Sequence, residues 1–575
     1  MKKFLAAILA ILFSLALLGG CGTGNKDEGA TPPPAEDTPS GDELTPPEGE
    51  QNPSDGEDNP PEEETLTDEL KTNLSADGYV KGKISDFSVY EGTDAYRKVK
   101  TADEFLKAIV DAKDHYKNVW DSDKGTYSQI PDEGYTEENF EGTVHVIEIE
   151  NDLNLGFKKL SNTYGIVSSF GSENSSLSHS EMFKENGISQ IKIENTSNLL
   201  IYSKNGAKLT HASFKLTSDT DVVFRNLQFD EMWQWEDAHE PTEDGTLADN
   251  IGDYDWYGWA YFKISFCGYI WIDHCTFGKS YDGQIDISNP VYDANKDVSI
   301  RAPYKADGGN GVHISWCNFN SGSDDKDGYL YKMMEAIEEN YQAGGTDYLY
   351  HNALREAGAS FEDILYGVAI PQKKGFLCGD GSAKEYDYNL KLQVSFANCK
   401  FTNLEDRIPK LRGGNAYMYN CVVDSSQYYG YRTTLRSLKA ANAVSAVKSN
   451  WKCALVSQGI VCGNGGSVMA EHCIFRGIET ILKNNDSGNG TSGSSNGGYK
   501  IENCIYQKTE GKNTSISNSV STTLKASFFS WHTEDGTQPF TTASYGLDNL
   551  EKILANDKYG SGATGDYLNL LKCSV

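Results

Sequence analysis

Beyond its first twenty residues the chain has no apolar run long enough to cross a bilayer, which excludes a body threaded through a membrane on helices. It has no Cys-x-x-Cys pair among its 12 cysteines, so the usual ligand spacing of zinc ribbons and dithiol redox centres is missing. Cations are scarce: 51 Lys and Arg stand against 83 Asp and Glu, for a formal net charge of -32, and no nucleic-acid partner is expected. Large apolar side chains are nearly absent from 22–70, which holds 16 acidic residues and a single lysine. Such a segment cannot bury enough surface to offset its ordering entropy, and it reads as a disordered tether. About half of the acidity is therefore tether and says little about a ligand. Against this background the stretch "NLEDRIPKLRGGNAYMYNC", 403–421, gathers Arg407, Lys410 and Arg412 within six residues.

The opening "MKKFLAAILAILFSLALLGGC" runs from two lysines through an apolar segment to small residues, the order of a secretory signal. Leu18-Gly19-Gly20-Cys21 resembles a bacterial lipoprotein cleavage box. It predicts lipidation at Cys21 and a protein outside the cytoplasm, lipid-anchored to the cell membrane or secreted. The expected organisation is a signal at 1–20, the lipidated Cys21 and tether at 21–75, and one body at 76–575, expected to be a monomer.

Seven short segments of that body share one pattern: "FRNLQF" at 224–229, "IDHCTF" at 272–277, "ISWCNF" at 314–319, "FANCKF" at 396–401, "MYNCVV" at 418–423, "AEHCIF" at 470–475 and "KIENCIY" at 500–506. Each sets Leu or Cys two residues before an aromatic or aliphatic one, and most follow a short β-prone run. Alternation over a few residues predicts strands with one face inward. Only 22 residues separate Cys399 from Cys421, room for about three short strands and their turns but for no long amphipathic helix. One such unit cannot bury its own apolar face, whereas stacked units can. The pattern predicts a parallel β-helix, with like side chains repeating at ~4.8 Å from coil to coil. Cysteine suits an interior ladder as a small hydrophobe. Stacked thiols also lie within bridging distance, and His274, Cys275, His472 and Cys473 form a rival metal set.

The long loop 231–260 carries Trp233, Trp235, Trp256 and Trp259, four of the chain's nine tryptophans. They either stack on sugar rings in a cleft or pin the loop to the body. Residues 321–372 read as a partly helical insertion. Charge gathers in three places: Asp282 and Asp286 in "SYDGQIDIS", Lys373 and Lys374 in "PQKKGFLCGDGS", and the arginines of "RIPKLR". On a straight strand the two aspartates would share a face ~13 Å apart. A bend at Gly283 would let one ion touch both, and calcium favours such oxygen clusters. Pro409 predicts a turn over 405–410, with strand pairing resumed at "NAYMYN". Three cations and two carboxylates on neighbouring coils suggest one site for a metal ion and a polyanion.

"YIWIDHCTF", "DGQIDIS", "VHISWCNF", "KKGFLCGD", "DRIPKLRGG" and "YMYNCVV" together resemble the pectate lyases of polysaccharide lyase family 1, in that family's order. The similarity runs from "YRKVKTADEFLKAI" near residue 96 to beyond residue 430. It implies a single-stranded right-handed parallel β-helix, with long loops, that cleaves polygalacturonate by β-elimination to unsaturated oligogalacturonides. It further implies that Arg407 is the base removing the C5 proton, that Arg412 and Lys374 bind substrate carboxylate, and that Asp282 and Asp286 ligate calcium. Lys326 in "SDDKDG" is a weaker candidate for the lysine role. A further calcium aspartate is expected where this chain has Ala260, leaving Asp255, Asp253 or substrate carboxylates to complete the shell. Family members acting on methylated pectin are calcium-independent with aromatic clefts, and the four tryptophans suit that alternative. Pairing a uronate carboxylate with cations stabilises the charge that develops when C5 is deprotonated. A guanidinium acts as base only when neutral, which nearby cations favour, so the rate is expected to rise above neutral pH. A polygalacturonase on the same scaffold would need clustered carboxylates. The sequence lacks that family's Gly-His-Gly motif, and its only adjacent aspartates are Asp324 and Asp325. A non-catalytic glycan-binding protein is the remaining rival.

Overall fold

The cysteine pattern marks a sharp corner of the backbone. The residue before each patterned Leu or Cys has a left-handed conformation: Asn226, His274, Trp316, Asn398, Asn420, His472 and Asn503 all have φ between 47 and 58°. Asparagine tolerates this region better than most residues. Immediately past the corner the side chain turns into the core, as Leu227 in the first repeat and as cysteine in the other six. The thiols of Cys275, Cys317, Cys399, Cys421, Cys473 and Cys504 each donate to the carbonyl two residues back, at 3.2–3.4 Å. The nine described cysteines are buried free thiols, and burial pushes Cys267, Cys317, Cys399 and Cys473 well above the ordinary thiol range. They are packing residues.

The computed structural model describes residues 87–121, 126–134, 144–170, 185–235, 258–288, 311–379, 392–440, 458–484, 497–507, 514–515, 545–568 and 570. All lie in the compact unit Thr65–Val575. Three sheets of ten, nine and ten strands form from strands that recur in the same order in each coil. One coil shows the plan: Gly268–Asp273 lies in the first sheet, Thr276–Phe277 in the third and Ile285–Ser288 in the second. Each pairs in parallel with its counterparts in the coils before and after. This is a parallel β-helix, as the repeat predicts. Among the described residues antiparallel pairing is confined to Val167–Ser169 with Ser189–Glu194, Ile505–Gln507 with Thr514–Ser515, and the hairpin Tyr116–Asp121 with Thr126–Pro131.

Zero offset between coils stacks like on like. Phe277 and Phe319 lie 4.5 Å apart at 9°, and Phe319 and Phe401 lie 5.2 Å apart at 8°. Helix Ala102–Asp111, capped reciprocally by Thr101 and Glu104, buries Phe105, Leu106 and Ile109 against the same core. The insertion forms helices Tyr329–Gln342, Leu349–Glu356 and Phe361–Ile364. Lys279, itself buried, ties it down by donating to the carbonyls of Val368, Ala369 and Pro371. Among the described residues no helix is long and apolar enough to cross a membrane.

Phe319 touches the rings of Phe277, Phe401 and Phe376 and is fully buried. Phe319→Ala is expected to lower stability by about 3–5 kcal/mol, read as a shift in urea unfolding midpoint. A loss under about 1 kcal/mol would mean that the ring stack carries little of the fold's stability.

Candidate active site

Three turns that enter the second sheet carry the predicted charges. Asp282 precedes strand Ile285–Ser288, Lys374 precedes Phe376–Cys378, and Arg407 precedes Lys410–Arg412. Backbone bonds join these turns into a stack. Gln284 N–H donates to Gly375 C=O at 2.8 Å, Gly375 N–H to Asp406 C=O at 2.9 Å, and Phe376 N–H to Arg407 C=O at 2.7 Å. A Cβ at Gly375 would sit 2.6 Å from the Arg407 carbonyl oxygen, so only glycine allows this approach. Arg407 has φ 67°, a left-handed conformation disfavoured for any residue with a Cβ and held here by the neighbouring turn. Its Nε is buried and makes no hydrogen bond among the described residues.

The two aspartates are brought together by the expected bend. Asp282 lies in the turn and Asp286 on the strand beyond it. A Cβ at Gly283 would meet Asp286 Oδ1 at 3.1 Å, so the carboxylate folds back over the bare glycine. Lys374 Nζ lies 2.5 Å from Asp282 Oδ1. Asp286 Oδ1 is buried without a hydrogen-bond partner among the described residues. Burial first, then the Asp282 charge, raise the Asp286 pKa to about 6, against the pull of Lys263, Arg407 and Lys374. Lys410 is driven the other way: burial, then Arg407 and Arg412, bring its ammonium down to about 8. That shift reports how closely the three cations of "RIPKLR" crowd together. Lys410 and Arg412 face outward on one short strand, with Leu411 buried between them.

Several expectations need correction. Strand pairing resumes at Lys410 rather than at Asn415, because Pro409 offers its carbonyl to Val461 N–H at 3.0 Å and stands at the strand's entry without needing a donor. Trp233, Trp235 and Trp259 are all buried. Trp235 stacks on Tyr350 of the insertion at 5.4 Å, and Trp259 donates to the Phe170 carbonyl. These three pin loops to the body and offer no face to a sugar; Trp256 lies outside the described residues. Lys326 is exposed beside the third sheet, next to Asp325, whose carboxylate lies 3.8 Å from Lys208; it does not join the turn stack. Ala260 is fully buried where the missing ligand was expected, next to Trp259, whose carbonyl accepts Asp282 N–H at 3.0 Å. No group of three or more His, Cys, Asp or Glu suited to one metal ion occurs among the described residues. Asp255 and Cys21 lie outside them.

The Trp-Ile-Asp-His signature is structural. Asp273 is buried on the first sheet, 2.8 Å from Arg225 Nε and 2.7 Å from His274 Nδ1, and accepts from Ser315 Oγ at 2.6 Å. Burial would raise its pKa, yet His274 and Arg225 hold it below the ordinary carboxylate value. One residue that sequence reasoning missed does reach the site: Lys263, in register with Asp286 one coil earlier. Its signal was the recurrence of "FKIS" against "IDIS".

No family model matches the sequence. Over 338 residues the chain is 30% identical to Pectate lyase B of Paenibacillus amylolyticus, covering 58% of this chain and 76% of that protein. Over 231 residues it is 22% identical to a pectate lyase of Bacillus subtilis, 40% of each. The solved structure of a pectate lyase from Paenibacillus sp. 0602 superposes with a TM-score of 0.64 at 25% identity, covering 88% of this chain and all of that one.

Unpartnered burial of Asp286 has a pH-dependent cost. With its native pKa raised from 3.8 to about 6, the group is neutral in both states only well below pH 3.8. Between about pH 4 and 6 the unfolded chain has released this proton and the native one has not, so stability is lost across that window and the loss is complete above 6. Asp286→Asn removes that cost. In chelator it is expected to be more stable than the parent by roughly 1–3 kcal/mol at pH 8 and about equal near pH 3, measured by urea unfolding. A variant that is less stable at pH 8 would contradict this.

Proposed function

The chain belongs to the pectate lyase family, and from that premise we propose that it cleaves polygalacturonate by β-elimination with Arg407 as the base. The observation that carries the assignment is the turn stack, where Arg407, with an unbonded buried Nε, stands beside Lys374, Lys410 and Arg412. In the elimination a neutral guanidine takes the C5 proton, the electron pair forms the C4–C5 double bond, and the C4–O bond breaks. The leaving oxygen then takes a proton from solvent or a neighbouring ammonium. Charge that develops on the adjacent carboxylate is met by Lys374 and Arg412. Lys374 must exchange Asp282 for the substrate to play this part.

Asp282 and the unpartnered Oδ1 of Asp286 are hard oxygen donors that fit calcium. They would supply part of its shell, the rest coming from water or substrate carboxylates. When bound, calcium supplies a divalent charge that neutralises substrate carboxylate and acidifies C5. Two features of the chain support export, the signal-like N-terminus and the Leu18-Gly19-Gly20-Cys21 box with its lipidation site; both lie outside the described residues.

Ala260 favours one alternative, a calcium-independent enzyme for methylated pectin; burial of Trp233, Trp235 and Trp259 takes three of the four tryptophans from its other support. Incubation with polygalacturonate and with highly methylated pectin separates the readings through ultraviolet absorbance of unsaturated uronate. Absorbance growth on polygalacturonate, abolished by chelator and restored by calcium, is expected. Chelator-resistant growth on methylated pectin alone would overturn the calcium reading. New reducing ends without absorbance would mean hydrolysis, and no reaction at all would mean a binder.

Lys410, brought to about 8, is the competing base. Arg407→Gln is expected to lower kcat by about 10²- to 10⁴-fold with little change in KM, and Lys410→Gln by less than about tenfold. The parent's rate should climb beyond about pH 8. A maximum near pH 5, or the reverse ranking of the two variants, would remove Arg407 as the base.

A further inference from the structure

One buried amide ties the three charged turns together. Gln372 closes the insertion and is fully buried. Its Oε1 accepts Ser280 N–H at 2.9 Å, and its Nε2 donates to the Asp282 carbonyl at 2.7 Å and to the Lys374 carbonyl at 3.0 Å. Its backbone reaches the third turn. Gln372 N–H donates to Asn403 C=O at 2.8 Å, and its C=O accepts Glu405 N–H at 2.9 Å, two residues before Arg407. The peptides that carry Asp282, Lys374 and Arg407 thus meet at a residue that takes no part in the proposed chemistry.

The surroundings admit one orientation of this amide. Turned over, Oε1 would face two carbonyls and Nε2 an N–H, and all three bonds would be lost. Both Nε2 hydrogens are used, and a buried carbonyl left unbonded is costly. Because the two carbonyl oxygens share one nitrogen, they cannot lie more than about 6 Å apart. That bound sets the spacing of the backbones from which Asp282 and Lys374 project, and their side chains meet at 2.5 Å. A clamp positions other groups only when it is itself fixed. Buried Lys279 holds the chain just before Gln372 through the carbonyls of Val368, Ala369 and Pro371, and a parallel bridge pairs Gln372 with Leu404.

We propose that Gln372 is a positioning residue for the elimination, acting through Asp282, Lys374 and the Arg407 turn, whose relative spacing it sets. The inference rests on the polygalacturonate reading and adds to it the residue that aligns the site. Misplacing a reacting group by about 1 Å can cost two orders of magnitude in rate, so loosening the clamp should appear in kcat and not in stability alone. Asn226 supplies a matched control. It too is a fully buried amide that donates to two carbonyls, Ser203 at 2.8 Å and Thr564 at 3.0 Å, and accepts one N–H, from Thr564 at 2.7 Å. It does so at the corner between Thr220–Arg225 of the first sheet and Gln228–Asp230 of the third, where no proposed catalytic residue lies.

The test compares the full-length parent with Gln372→Glu and Asn226→Asp, each of which replaces an amide by an acid of the same size and removes two donors. Both should lower the urea unfolding midpoint. On polygalacturonate, Gln372→Glu should lower kcat about 10- to 100-fold with KM changed less than about threefold, and Asn226→Asp should change kcat less than about twofold. Gln372→Met, apolar and of similar length, should show the same loss of kcat and carries the test if the acid variant does not fold. A kcat equal to the parent's in the Gln372 variants, or an equal fall in Asn226→Asp, would overturn the proposal. Hydrogen exchange read by mass spectrometry on peptides spanning 278–286 and 374–378 measures the clamp without catalysis. Exchange there should be faster in the Gln372 variants than in Asn226→Asp. If the parent forms no unsaturated product yet shows this difference, the clamp stands while the lyase reading falls. Equal exchange in the parent and the Gln372 variants would remove the clamp whatever the activity.

Discussion

The register between coils is the constraint on which everything else depends. Each strand pairs with the same strand of the next coil without offset, so a residue's position within its coil determines its neighbours above and below. Inside, this yields the phenylalanine stack and the thiol row beneath the left-handed corners. Outside, it brings Asp282, Lys374 and Arg407 together from positions as far as 125 residues apart in sequence. The site is a by-product of stacking, fixed by backbone bonds between successive turns rather than by the side chains that act there.

That origin explains the site's electrostatics. Stacked turns force charges into proximity whether or not they balance. Lys374 and Asp282 find each other, but among the described residues Asp286 keeps a buried oxygen without a partner, and Lys410 is crowded by two arginines. Both groups are displaced from their ordinary pKa, in opposite directions, by the same burial. Such a site stores unfavourable charge that a cation near the aspartates and an anion near the arginines would relieve.

Much of this was legible in the sequence. The cysteine pattern revealed the third sheet and its corners because corner and strand are local, repeating every coil with the same few residues. The charged turns were legible because Gly283 and Pro409 mark bends. The second sheet's repeat was harder to see: Lys192, Lys215, Lys263 and Asp286 are 23, 48 and 23 residues apart, since loops of unequal length separate the coils. Loop tryptophans misled for a related reason. A large aromatic in a polar loop reads equally as a ligand platform or an anchor, and only packing against Tyr350 and the Phe170 segment decides for Trp235 and Trp259.

Isotope tracing tests the central claim, that this turn stack breaks a polyuronate by elimination, most directly. Polygalacturonate digested in heavy-oxygen water and analysed by mass spectrometry reports which bond-breaking chemistry occurred. Elimination leaves each new non-reducing end one water lighter than a saturated sugar, and cleavage adds no heavy oxygen to either end. The account predicts that pattern for the parent and its disappearance in Arg407→Gln. Saturated products carrying heavy oxygen at the new ends would contradict it.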